Sequence, residues 1–284
     1  DYINICLQLT TFIVSLRKHI FVIGHDISDY LYEIQAQGRY AISLHELRER
    51  FGPNEKAIAQ KLHRLKKENK LAQVRKEFYV IVPPQYSHQG ILPTTYYLDD
   101  MMKFLKREYY LGLYSAAALH GAGHQQPMQS QIMIQKPALR DIKTKNQYLS
   151  FFTKNSWNND WLVKKKTDAG YVLVSSPELT AIDIVHYHKQ IGGLNRVVPV
   201  LEELTENIKS SKLIPIAKES SFPTIQRLGY ILEQLGETKL ADGLLNILAA
   251  NKTNAAPLSL SHKHKNGFNN EKWNLIINTE IEFP

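Results

Sequence analysis

The sequence predicts an α+β protein of two domains, on three observations. Apolar residues recur at helical spacing in both halves, short β-rich runs cluster between residues 131 and 175, and a proline-bearing stretch of little periodicity separates the first helical group from the rest. The expected division is an N-terminal extension over 1–25, a helix-turn-helix with a hairpin over 26–84, a linker over 85–97 and a mixed α+β domain over 98–284.

The first helix is expected over 27–37, where Ile27, Tyr30, Leu31 and Ile34 form one stripe and Gly38 ends it. Leu44, Leu47 and Phe51 mark a second, short helix that stops at the turn Gly52-Pro53. Asn54 then caps a third helix in which Ile58, Leu62 and Leu65 fall at i, i+4 and i+7 and face the core. A rotation of 100° per residue puts Lys56, Gln60, His63 and Lys67 on the opposite side, with Arg64 beside them. Residues 78–82 are strand-like and pair with a preceding strand across Arg75-Lys76-Glu77.

Helix, tight turn, basic helix and hairpin is the order of a winged helix-turn-helix, whose second helix enters the major groove while the hairpin reaches the backbone. Residues 39–83 hold eleven Lys and Arg against five Asp and Glu. The expected DNA contacts are therefore Lys56, Gln60, His63, Arg64, Lys67, Arg75 and Lys76. Gln60 suits adenine and Arg64 guanine, whereas Lys56, Lys67, Arg75 and Lys76 suit phosphates. The bland alternative is a solvated charged face on an ordinary globular domain.

At 284 residues with a formal charge of +8, the chain is long enough for two cores and favours an anionic partner. The same charge also fits an anionic membrane or plain solubility. The single cysteine, Cys6, excludes an internal disulfide framework and a cysteine-rich zinc site, and a reducing, cytoplasmic setting fits best. Residues 3–23 are rather apolar, but Arg17-Lys18-His19 interrupts them short of a membrane span, and no signal-peptide pattern precedes them. Three readings of 1–25 stand open: a fragment, an extra helix on the DNA-binding domain, or translated sequence upstream of the true start.

In the second domain, helices are expected over 98–107 and 109–123, with 115–119 buried, followed by strands over 131–134 and 147–153. A hairpin of 161–166 with 171–175 turns at Asp168-Ala169-Gly170. Ser176 caps a helix with Pro177 at its first position, running to about 190 and stopped by Gly192-Gly193. Helices over 194–208, 223–235 and 240–249 follow, then a polar loop over 251–270 and a closing strand within 273–281 that is expected to return to the central sheet.

Two constellations invite chemistry. His120 and His124 lie four apart as metal ligands do, but no third ligand accompanies them, and Gly121 and Gly123 make the segment a helix end packed under the sheet. The segment also lacks the Gly-Lys-Ser/Thr of a phosphate loop. Asp160, the lysines Lys164, Lys165 and Lys166, Glu178 and Asp183 have the residue types of a metal-dependent nuclease. Against that, consecutive lysines alternate sides of a strand, and Glu178 sits in a first helical turn where the dipole alone favours an acid. No catalytic residue, metal or cofactor is expected.

The blocks YYLGLYSAAALHGAGHQQPMQSQIMI (109–134), SSPELTAIDIVHY (175–187), GGLNRVVPVLEEL (192–204), QRLGYILEQLG (226–236) and WNLIINTEIE (273–282) resemble the AbiEi family of antitoxins from bacterial toxin–antitoxin and phage abortive-infection operons. The resemblance runs from about residue 27 to the C-terminus, and the first 25 residues have no counterpart in it. It implies a winged-helix domain that binds inverted repeats in its own promoter and a C-terminal domain for antitoxicity. The partner it implies is a nucleotidyltransferase-like toxin encoded nearby, opposed without a stable complex. The residues themselves leave two other readings: a general winged-helix regulator whose C-terminal domain binds a ligand or partner, and a metal-dependent nuclease.

Overall fold

The computed structural model describes residues 26–123, 129–144, 146–260 and 267–283. The chain divides into two compact units, the first ending at Tyr97 and the second beginning at Leu98.

In the first unit, α1 (Ile27–Ala36) buries Ile27, Leu31 and Ile34 and ends before Gly38, whose φ of 77° leaves the helical region. The next helices are α2 (Leu44–Phe51) and α3 (Glu55–Lys67). Both have side-chain caps: Ser43 Oγ accepts from the Glu46 amide at 3.1 Å, and Asn54 Oδ1, the cap expected from the sequence, accepts from the Ala57 amide at 3.2 Å. The hairpin is β2 (Leu71–Arg75) with β3 (Phe78–Ile81). A further strand, β1 (Ala41–Ser43), pairs antiparallel with β3 through Ala41↔Val80, so the sheet order is β1-β3-β2. Three residues give no usable periodicity, which is why β1 escapes a sequence reading. Leu31, Ile42, Leu47, Ile58, Leu62, Leu65, Leu71 and Tyr79 meet in one core. Each large aliphatic side chain so buried contributes about 1.5–3 kcal/mol.

Residues 85–97, expected to be a linker, carry local structure and belong to the first unit. They include the 3-10 turn Thr94–Tyr96, and a second such turn, Pro84–Tyr86, leads into them. Tyr96 stacks edge-on against Tyr40 at 5.5 Å and Tyr86 at 6.0 Å, so the aromatic rings fold the segment back on the first unit.

The second unit begins with α4 (Leu98–Phe104) and is built on a six-stranded mixed sheet. Its strands are β4 (Tyr109–Leu111), β5 (Gln129–Ile134), β6 (Ile142–Lys143), β7 (Tyr148–Thr153), β8 (Leu162–Thr167) and β9 (Gly170–Ser175), in the order β6-β7-β5-β4-β9-β8. The helix expected over 109–123 is thereby corrected: Tyr109–Leu111 is an inner strand, and only α5 (Leu113–Leu119) is helical. Gly112 separates the two, because a Cβ there would run into the Met133 side chain at 2.6 Å. Leu119, expected to be buried, is exposed at the end of α5.

Four helices follow α6 (Pro177–His186): α7 (Leu194–Thr205), α8 (Ser210–Lys218), α9 (Phe222–Gln234) and α10 (Thr238–Ala249). Ser176 caps α6 as expected, its Oγ accepting from the Leu179 amide at 3.2 Å, but the helix ends at His186 rather than near 190. All residues of α6 from Glu178 to Val185 are buried, so it is the central helix of the unit. The sequence reading missed α8, whose Pro215 lies in the helix interior and argues locally against a helix. Leu213, Ile216 and Ala217 on its inner face outweigh that local preference.

Two expectations near the C-terminus also change. Within 251–270, β10 (Ala256–Pro257) and β11 (Phe268–Asn270) are strands, and they flank β12 (Leu275–Ile277) in a separate three-stranded sheet, order β10-β12-β11. The closing segment therefore does not return to the central sheet. Trp273 holds it on the helical side: the ring is fully buried against Gly229 of α9, and its Nε1 donates to Glu233 at 2.6 Å.

Candidate nucleic-acid interface

The outward face of α3 forms because its three core residues lie along a single line. With Ile58, Leu62 and Leu65 buried, Lys56, Gln60, His63, Arg64 and Lys67 are all exposed. Lys76 is exposed at the turn of the β2–β3 hairpin, and Arg75 before it is half-buried. A hydrogen bond from Lys66 Nζ to Gln73 Oε1 at 3.0 Å ties the end of α3 to β2, so helix and hairpin form one framework.

Several acids in this unit are engaged by partners of their own. Glu55 pairs with Arg48 at 3.0 Å, Asp26 with Lys61, and Glu68 with Lys70 at 2.8 Å. The hydrogen bond from Lys70 holds the Glu68 carboxyl below its ordinary range, and that from Lys61 does the same for Asp26. Arg64 lies 4.0 Å from Glu68 and is only loosely held. Among the described residues Lys56, Lys67, Arg75 and Lys76 form no ion pair. These four cations lie on α3 and the β2–β3 hairpin. Gln60 and Arg64 also line a depression of about 550 Å³ that they share with Ile27, Phe51 and Ile58.

The other residues singled out from the sequence do not converge. His120 Nε2 lies 2.7 Å from the Ser175 carbonyl, and burial lowers its pKa, so the neutral ring donates there. His124 lies outside the described residues, as does Cys6. Among the described residues no three His, Cys, Asp or Glu are arranged to hold a metal ion. Asp183 on α6 accepts from Tyr110 Oη at 2.7 Å and Lys154 Nζ at 2.6 Å. Glu178 accepts from the Lys209 amide at 3.0 Å, and Asp160 is exposed in the turn Asn159–Trp161. Lys164 and Lys166 are exposed and Lys165 half-buried, alternating along β8. The sequence reading named Asp183 but neither Tyr110 nor Lys154. An acid inside the otherwise apolar run Ala181-Ile182-Asp183-Ile184-Val185 is the signal that a buried partner must exist. Among the described residues no helix is long and apolar enough to cross a membrane.

The crystal structure of the RV2827C protein from Mycobacterium tuberculosis superposes with a TM-score of 0.64 at 18% identity, covering 88% of this chain and 90% of that one, so the fold is shared across most of both. An antigenic nucleotidyltransferase-like protein from Paracoccidioides brasiliensis reaches a TM-score of only 0.32 at 14% identity, over 53% of this chain and 90% of that one, too low to carry an argument. No curated protein matches the sequence. The family model described as the AbiEi antitoxin C-terminal domain matches residues 110–234, from the middle of β4 to the last residue of α9. Over that span the chain is similar to the C-terminal domain of AbiEi antitoxins.

Proposed function

We propose that the chain is a DNA-binding autorepressor and antitoxin acting in the cytoplasm. In this reading the first unit is a winged helix-turn-helix: α2 and α3 are the two helices of the motif, α3 lies in the major groove, and the β2–β3 hairpin is the wing. Gln60, His63 and Arg64 face base edges, while Lys56, Lys67, Arg75 and Lys76 take phosphates. The observation that supports the reading is that Lys56 and Lys67 on α3 and Arg75 and Lys76 at the hairpin form no ion pair among the described residues. The operator is an inverted repeat upstream of the chain's own gene, read by two copies of the first unit. The AbiEi domain over 110–234 opposes a nucleotidyltransferase-like toxin encoded nearby, without a stable complex between the two proteins.

Gel-shift titration with the DNA upstream of the gene, at low and high salt, tests this. Wild-type protein is expected to bind specifically, with affinity falling steeply as salt rises. The Lys56→Ala/Arg64→Ala/Lys67→Ala variant is expected to lose at least about a hundredfold in affinity, from roughly 1 kcal/mol or more per contact removed. Wild-type protein that fails to prefer this DNA over an unrelated duplex would remove the autorepressor reading.

A further inference from the structure

The β8–β9 hairpin presents a surface that the operator-binding reading does not use. β8 is an edge strand, and its register sets Lys166 opposite Tyr171 and Lys164 opposite Leu173. Directly opposed residues put their side chains on the same face, so Lys164, Lys166, Tyr171 and Leu173 form one surface. Lys164 and Lys166 are exposed and form no ion pair among the described residues. Tyr171 is 60% exposed, although Val172 and Val174 beside it on β9 are buried.

Lysines on an edge strand are sufficiently explained by the need to keep the edge from pairing with another chain. That account does not cover an exposed aromatic ring on the neighbouring strand. Nor does it cover the cavity of about 410 Å³ adjoining Lys164, which Trp157, Leu162, Leu173 and Asn159 help to line. The acids in that cavity wall are engaged: Asp99 by Lys103 at 2.6 Å and by Tyr109 Oη at 3.1 Å, and Glu108 by Gln135 Nε2 at 3.1 Å. Two free cations, one exposed ring and an aromatic-lined cavity thus lie together.

We propose that this surface binds a single-stranded polynucleotide. One base stacks on the Tyr171 ring, a second enters the cavity against Trp157, and Lys164 and Lys166 neutralise the phosphates between them. Stacking of this kind tolerates any sequence because every base has a π-face. Duplex DNA would leave both Tyr171 and the cavity idle, since its bases are already stacked and paired.

The test is fluorescence anisotropy with the full chain and labelled oligouridine and oligothymidine of about twelve nucleotides, a length spanning one such site. Binding of either oligomer or both supports the proposal, and their ratio shows whether the ribose 2′-hydroxyl is read. Tyr171→Ala is expected to weaken binding about tenfold at unchanged salt dependence, and Tyr171→Phe to retain it. Lys164→Glu/Lys166→Glu is expected to flatten the salt dependence. The Lys56/Arg64/Lys67 variant of α3 should leave single-strand binding unaltered, which separates this site from the operator reading. All substituted hairpin residues are exposed, and matching thermal unfolding curves establish that the variants fold. The proposal is overturned by absence of single-strand binding, by binding indifferent to Tyr171→Ala, or by binding lost in the α3 variant and kept in the hairpin variants.

Discussion

At Gly229, on the buried side of α9, a Cβ would collide with the six-membered ring of the Trp273 indole. Here the glycine is needed for space, because α9 is helical and its φ unexceptional. Gly229→Ala is expected to destabilise the second unit by about 1–3 kcal/mol through overpacking. Trp273→Phe in the same chain should restore part of the loss, since the smaller ring lacks the colliding edge. Thermal unfolding of the two variants and the wild type checks this, and an unchanged Gly229→Ala midpoint would refute the close approach. Arg227, two residues earlier and also buried, works differently: its guanidinium donates to the carbonyls of Pro257, Leu258 and Pro223 at 2.7–3.2 Å. Burial pushes its pKa down to about 10. Ring packing at Trp273 and carbonyl capture at Arg227 together fasten the small C-terminal sheet to α9.

In the β2–β3 hairpin, sequence and conformation disagree. The pairing shifts register between Gln73 and Arg75, and Glu77 sits at φ 61°, in the left-handed region that favours glycine. Glu77→Gly is expected to leave stability unchanged or raise it by up to about 1 kcal/mol, the relief of left-handed strain being offset by glycine's extra chain entropy. It also removes an acid between the hairpin cations and the strand, so operator affinity at low salt should rise in the gel-shift titration. Lower stability together with weaker binding would show that the Glu77 side chain supports the turn. In α3 the local and tertiary preferences agree: an Asn54 cap, a single apolar stripe and lysines in the last turn all favour the observed helix. That agreement explains why its start and its buried face are readable from the sequence.

Across the molecule, pH acts through histidines whose charged rings the fold partly desolvates: His188 is buried, His120 half-buried and His186 more exposed. His120, His186 and His188 all lie below their ordinary pKa because burial disfavours the charged ring. Each takes up a proton more readily unfolded than folded. Their contribution is therefore complete above about pH 6.5 and lost as pH falls through the lowered folded values. Carboxylates such as Asp26 and Glu233, also lowered, act only further down the scale. The unfolding midpoint should be level above about pH 7, fall between about pH 6.5 and 5, and fall less in His188→Asn, whose amide can still donate to the Val185 carbonyl. A midpoint level down to about pH 5 would contradict this account.

Most of the helices, the α+β class and the β8–β9 hairpin were legible in the sequence because each is specified by neighbours along the chain. Ile58, Leu62 and Leu65 fix a helix face by spacing alone, and Ser176-Pro177 starts α6 by capping alone. The exposed cations of α3 follow from the same spacing, since burying one face exposes the other. What the sequence did not contain was pairing between distant segments. Tyr109–Leu111 is a strand because β5 and β9 flank it, Ala41–Ser43 because β3 is beside it, and the C-terminal strands form their own sheet because Trp273 finds room at Gly229. Three-residue strands carry too little local signal to outweigh an adjoining helix, and ion pairs such as Arg48–Glu55 that leave only some cations free depend on side chains meeting across turns. Local periodicity therefore determined most of the helices and which face of α3 is basic, while long-range packing decided the short strands, which strands pair and which charges remain unpaired.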